Sequence, residues 1–170
     1  KRADHWFWSR YSAYPYLGCQ HGCAFCYCRE EKYYPYKNVD DYAYVIKVKQ
    51  NAPMLLRQGL ARAPVDVVFT GDYQAAERKF TLSRQMLEVC YELGFPVLVL
   101  TRSPLILRDL DVLQAINQRA RAVVAFSMIA APGVASYERV CRLERLAPPA
   151  ARRLAAMEKI AQAGIQTGAC

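Results

Sequence analysis

An α/β domain built on a parallel sheet is the fold this sequence predicts, as a partial (β/α) barrel, with an open doubly wound sheet as the alternative. Three observations predict it. Short apolar runs alternate with amphipathic helical stretches three times in succession, and a further strand begins at the end. The runs are near-continuously apolar rather than alternating, as in parallel strands packed beneath helices. The chain has 170 residues, 54% of them hydrophobic and 22% charged, which suits one globular domain.

The elements follow in order. Residues 11–17 read as a strand that enters a long loop punctuated by Pro15, Gly18, Gly22 and Pro35. Residues 44–49 alternate briefly, and Asn51 with Pro53 opens a short helix through Met54, Leu55, Leu56 and Leu60. The run VDVVFT at 65–70 is a strand closed by Gly71, followed by a helix over 80–93 whose stripe is Met86, Leu87, Cys90 and Leu93, ended by Gly94. PVLVLT at 96–101 is the next strand, and 104–116 carries Leu107, Leu110, Leu113 and Ile116 at helical spacing. AVVAFSM over 122–128 is the third, with a connection through Pro132 and Gly133 to a helix over 149–163 striped by Leu154, Met157 and Ile160. A fourth strand of this series starts at Ile165. Chemistry in such a fold belongs in the loops at the carboxyl ends of the strands.

Composition narrows the function classes. Twenty-three Lys and Arg against 15 Asp and Glu give a net charge of +8, spread as six basic and four acidic residues over 1–40, ten and eight over 41–120, and seven and three over 121–170. Such a field favours anionic partners, DNA among them, but a mildly basic enzyme has the same balance. No window reaches the roughly 18 apolar residues of a membrane span, and the start lacks the apolar run of a signal peptide, so a cytoplasmic protein with no membrane partner is expected. The chain lacks an initial Met and stops on Ile165 to Cys170 in what reads as mid-strand, so a fragment of a longer protein is expected. Residues 1–170 are read as a single core domain, with an aromatic, cysteine-bearing segment over 1–44 and βα repeats over 45–170.

Seven cysteines, an odd number without a secretory signal, fit a disulfide framework poorly and move metal or redox chemistry forward. Cys19, Cys23, Cys26 and Cys28 fall within ten residues, whereas Cys90, Cys141 and Cys170 are scattered, Cys90 on an apolar helical face that suits the core. Cys19, Cys23 and Cys26 form C-x3-C-x2-C just after the first strand. Three thiolates at this spacing can bind three corners of an iron–sulfur cubane and leave the fourth iron open. A zinc site would usually pair C-x2-C with a second pair, which this chain does not offer cleanly. An incidental cluster or redox pair is the plain alternative.

These residues also resemble a known family. The stretch from Tyr14-Pro15-Tyr16-Leu17-Gly18-Cys19 through Cys26-Tyr27-Cys28-Arg29 is similar to the cluster loop of radical S-adenosylmethionine (radical SAM) enzymes, and most like the spore photoproduct lyase and DNA repair photolyase branch. Asn51-Ala52-Pro53, Thr70-Gly71-Asp72-Tyr73-Gln74 with Glu77, Leu100-Thr101-Arg102-Ser103, Arg108-Asp109, Phe126-Ser127 and Ala163-Gly164-Ile165 resemble that branch in the same order, over nearly the whole chain.

The resemblance implies a partial barrel of the radical SAM type, incomplete at the C-terminus of this chain, and a set of site residues. Cys19, Cys23 and Cys26 would ligate a [4Fe-4S] cluster, whose fourth iron chelates the amino and carboxylate groups of S-adenosyl-L-methionine. Phe25 would pack near the adenine, and Thr70, Gly71 and Asp72 would recognise the methionyl amino group. Arg102 and Ser127 would meet the methionyl carboxylate and the ribose. The implied activity is reductive cleavage to methionine and a 5′-deoxyadenosyl radical that abstracts hydrogen from substrate, with electrons from a reductant such as flavodoxin or ferredoxin. The lyase proper has a cysteine hydrogen donor where this chain has Phe69, so thymine-dimer reversal is not carried over.

Other residues admit more than one reading. His21 is a hydrogen-bond donor to a cluster sulfide or a loop filler, and Cys28 is a neighbour, a spare ligand or a reactive thiol. Asp72 with Glu77 is an acid/base pair, or has a cofactor-binding or solvated role. Glu144 with Arg153 is a surface pair at a helix start or active-site lining. Lys32, Tyr33, Tyr34, Tyr36 and Lys37 suit base stacking between cations, or aromatics packed over a loop. The alternative to an enzyme is a non-catalytic iron–sulfur or zinc-binding protein that interacts with nucleic acid.

Overall fold

In a computed structural model, residues 9–33 and 37–170 are described. Tyr34 and Tyr36 of the aromatic segment lie outside them. The chain runs β1 (Tyr11–Ser12), β2 (Tyr16–Leu17), two 3-10 turns (Tyr27–Arg29 and Glu31–Tyr33), α1 (Asp41–Tyr44), β3 (Lys47–Val48), α2 (Ala52–Leu60), β4 (Val68–Thr70), α3 (Glu77–Phe80), α4 (Leu82–Leu93) and β5 (Val97–Thr101). A 3-10 turn (Pro104–Asp109), α5 (Leu110–Arg119), β6 (Ala122–Phe126), α6 (Tyr137–Cys141), α7 (Ala150–Gln162) and β7 (Gln166–Ala169) complete it.

The α/β class holds: β1-β4-β5-β6-β7 form one five-stranded sheet in which every pairing is parallel, flanked by helices. Because the order is sequential, right-handed crossovers put the connecting helices on one face. Burial alternates accordingly. Val97 and Val99 of β5 and Ala122, Val124 and Phe126 of β6 are buried with Met86, Leu87, Cys90, Leu113, Ile116 and Ile160, while Leu98, Leu100, Val123 and Ala125 on the opposite face are only partly covered. Each fully buried aliphatic side chain there contributes about 1.5–3 kcal/mol. Cys90 is core, as its helical position predicts.

Four elements depart from expectation. The strand over 11–17 is broken at Pro15: β1 joins the parallel sheet, whereas β2 pairs antiparallel with β3. The helix over 80–93 is cut at Thr81, a β-branched residue at φ 50. The break lets the Glu77 carboxylate accept the Ser83 and Arg84 amides and so cap α4 from outside. The first half of the predicted 104–116 helix is a 3-10 turn, opened by Pro104 and by Ser103 Oγ accepting from Leu105 N. In α7, Leu154 is exposed and Arg153 takes the buried stripe position with Ala150, Ala156 and Ile160. Among the described residues no helix is long and apolar enough to cross a membrane.

Candidate functional site

The cysteine loop starts at a glycine that nothing else can replace. Gly18 has φ +85, and a Cβ there would lie 2.9 Å from both Tyr42 O and Val45 O. Cys19 N then donates to Tyr42 O, Gly22 N to Cys19 O and Cys26 N to Cys23 O, which winds the three cysteines through two tight turns. Gln74, 1% exposed, locks the start of the loop: its Nε2 donates to Gly18 O at 3.1 Å and its Oε1 accepts from Gln20 N at 3.0 Å, so one side-chain amide grips both neighbours of Cys19. Gln20 answers with Oε1 accepting from Ala76 N. The middle of the loop is held from the other side, where Ala24 N donates to Leu143 O and Leu146 N donates to His21 O.

Two strand-end residues, Asp72 and Arg102, reach this loop electrostatically. Thr70 closes β4, and Gly71 crosses β5 so closely that a Cβ would meet Leu100 O at 1.7 Å. Thr70 Oγ1 and Asp72 Oδ2 are buried and lack hydrogen-bond partners among the described residues. Burial pushes the Asp72 carboxyl up to about 7, against the opposing pull of the Tyr16 amide and Lys49. Its charge is felt at Cys19. Arg102, just after β5, lies 5.5 Å from the centre of the Phe25 ring and lowers the cost of ionising Cys23 and Cys26. Phe25 is itself 44% exposed. Ser127, just after β6, is buried, with its Oγ 4.0 Å from Cys170 Sγ at the end of β7.

Glu144 and Arg153 are not a surface pair. Arg153 is 1% exposed, and it donates from Nε to Pro148 O at 2.7 Å, from Nη1 to Ser127 O at 2.8 Å and from Nη2 to Glu144 Oε2. Glu144 Oε1 also accepts from Arg102 Nε at 2.9 Å. Burial alone would raise the Glu144 pKa, but the bonds from Arg153 and Arg102 outweigh it and hold the carboxylate ionised. Glu77 likewise leaves the acid/base reading: it is wholly buried, accepting from Tyr16 Oη at 2.5 Å and Arg108 Nη2 at 2.8 Å.

The thiols are free of disulfides and feel one another's charge. Burial first, then Asp72 and the other cysteines, push Cys19 up to about 12. Burial also raises Cys23, whereas hydrogen bonding from Cys28 lowers Cys26. Tyr42 Oη lies 3.6 Å from the Cys26 sulfur. His21 is pushed down to about 4 by burial, with Arg102 and Arg153 adding to it, so its imidazole is neutral at pH 7. Among the described residues no three His, Cys, Asp or Glu side chains are gathered as ligands of a single ion. A cubane asks for something different, since its thiolates bind different irons. The donor set fits the implied cluster and SAM on chemical grounds: three free thiols on one loop, with a buried unpartnered hydroxyl and carboxylate oxygen for an ammonium and a guanidinium for a carboxylate.

Gln74, Gln20, Tyr42 and the 143–146 segment escaped the sequence reading as loop anchors, since their partners are 16 to 56 residues away or more and no local period marks them. A separate groove of about 600 Å3 between β1 and α2, lined by Tyr11, Tyr14, Leu56, Leu60 and Met86, holds none of the predicted site residues.

The chain is 29% identical over 163 residues to uncharacterized proteins of Mycobacterium tuberculosis and Mycobacterium bovis, matching 92% of its own length and 47% of theirs. It is 30% identical over 105 residues to an uncharacterized protein of Methanocaldococcus jannaschii, or 61% of this chain and 39% of that protein. The chain thus spans about half the length of the curated relatives it matches. No family model and no solved structure matches it.

Proposed function

We propose that this chain is the core of a cytoplasmic radical SAM enzyme of the spore photoproduct lyase-like branch, its sheet forming part of a (β/α) barrel. The observation that carries the reading is that the C-x3-C-x2-C thiols lie within electrostatic reach of Asp72 and Arg102 at successive strand ends, where Thr70 Oγ1, Asp72 Oδ2 and the terminal nitrogens of Arg102 have no hydrogen-bond partner among the described residues. The partly covered sheet face, carrying Leu98, Leu100, Val123 and Ala125, suits the interior of an incomplete barrel.

When bound, the cluster and SAM supply the electron and the 5′-deoxyadenosyl radical for hydrogen abstraction from substrate. The protein's own share is placement. Cys19, Cys23 and Cys26 would hold the cluster as thiolates, and Cys19 and Cys23, whose burial favours the protonated thiol, would have to give up their protons to do so. Asp72 would ionise opposite the ammonium, Arg102 would meet the carboxylate, and Phe25 and Ser127 would border the adenosine. Flavodoxin or ferredoxin is the class of reductant required. DNA is the proposed substrate class, supported by the net charge and by exposed Tyr27, Tyr33 and Tyr44, with Lys32 4.7 Å from the Tyr33 ring centre. Phe69 is buried with its ring 5.9 Å from that of Tyr14, so no thiol stands at that point of β4, and the reaction proposed is not thymine-dimer reversal by that route.

The test is anaerobic reconstitution of the full-length protein with iron and sulfide. The expected product is brown, holds about four irons per chain, and gives a reduced-state electron paramagnetic resonance spectrum that changes when SAM is added. Stoichiometric zinc without iron contradicts the proposal and favours the zinc-binding alternative, and a cluster spectrum indifferent to SAM favours a non-catalytic iron–sulfur protein. DNA affinity measured against salt concentration checks the substrate class, with a steep loss expected as salt rises.

A further inference from the structure

Resting on the reading above for Arg102, we propose that Glu144 is the positioning residue that aims this guanidinium at its anion and ties it to the cysteine loop. Three observations converge on it. Glu144 takes Arg102 by Nε alone, so among the described residues both terminal nitrogens of Arg102 keep no hydrogen-bond partner. They stay available for a planar anion, which Arg binds through two parallel N–H groups.

Glu144 cannot swing away, because Arg153 grips its carboxylate and is itself fixed to Pro148 O and Ser127 O. One carboxylate is shared by two guanidiniums, and beyond it Arg102 faces the thiols of Cys23 and Cys26, so an anionic ligand would be met by positive charge here. The residues beside Glu144 then couple this unit to the thiols: Leu143 O accepts from Ala24 N, and Leu146 N donates to His21 O, either side of Cys23. The segment that aims Arg102 thus also braces the cysteine loop, which sets the carboxylate position and the cluster position in one register.

The experiment uses the reconstituted full-length protein and SAM as the probe, with equilibrium binding, iron content and thermal unfolding measured for wild type, Glu144→Gln, Glu144→Asp, Arg102→Ala and the double variant Glu144→Gln/Arg102→Ala. Glu144→Asp keeps the charge for Arg153 while shortening the reach to Arg102, and so guards against a glutamine variant that folds poorly. The expected result is wild-type iron content with SAM affinity weakened about 10- to 100-fold in both Glu144 variants. In the double variant the loss should be no greater than in Arg102→Ala alone. Unchanged SAM affinity in the iron-loaded Glu144 variants overturns the proposal, as does an additive double variant. A wild type that holds the cluster but binds no SAM overturns the functional reading itself, and this inference with it.

Discussion

Two buried carboxylate–arginine networks lie among the described residues, and they differ in what they leave unspent. Around Glu77 and Asp109, Arg108 uses Nε, Nη1 and Nη2, and Arg84 uses all three of its nitrogens on Glu88, Asp109 and Asp111. Tyr16 and Tyr73 take the remaining approaches to the two carboxylates. Around Glu144, Arg153 is as fully used, but Arg102 spends Nε only. A saturated network fixes a loop; the unsaturated one beside free thiols is where the proposed ligand would complete the bonding.

The sharpest way to break the comparison is Glu77→Ala. It leaves Arg108 its bonds to Asp109 but takes the acceptor from Tyr16 Oη and removes the external cap of α4, so a loss of about 2–4 kcal/mol in unfolding free energy is expected, read by denaturant titration. Arg102→Ala should do the opposite: little change in stability, and a loss of SAM affinity on the order of 100-fold. If the Arg102 variant unfolds as readily as the Glu77 variant, the two networks play one role and the distinction fails.

Gln74→Ala comes next. It frees Gly18 O and Gln20 N at the first cysteine, so iron retention under chelator challenge should drop about tenfold while Gln74→Glu, which keeps one acceptor, falls in between.

The smallest effect concerns Asp72. Its folded pKa of about 7 lies above the ordinary carboxyl range, so the folded state holds the proton more tightly than the unfolded chain. Stability from this group is full at acid pH, below the unfolded pKa, and is lost as pH rises towards and through 7. Asp72→Asn should therefore gain on the wild-type apoprotein between about pH 4 and 7, by about 1 kcal/mol after allowing for partial solvent exposure. A difference that is flat over this window would show that Asp72 ionises normally.

The parallel sheet was legible because its strands are short apolar runs and its helices carry period-3.6 stripes, as around Leu113 and Ile116. The breaks were not, because they depend on distant partners. Thr81 is forced out of helix by a carboxylate four residues earlier turning onto the following amides, and Arg153 displaces Leu154 from the buried stripe because Glu144 waits across a loop. In the candidate site the cysteines announce themselves by spacing, and the strand-end residues by order along the chain. Gln74 and Glu144 stand out in the sequence too, one in the strand-end stretch and the other as possible active-site lining, but the bonds by which they hold Cys19 and Arg102 span 42 to 56 residues and emerge only when the loops meet.

The most direct test of the central claim is the formation of 5′-deoxyadenosine from SAM by the reduced, reconstituted full-length protein, with Cys23→Ala alongside. The account predicts cleavage by the wild type, and loss of both iron and cleavage in the variant. Iron-loaded wild type that yields no 5′-deoxyadenosine, or a Cys23→Ala protein that still produces it, would contradict the account.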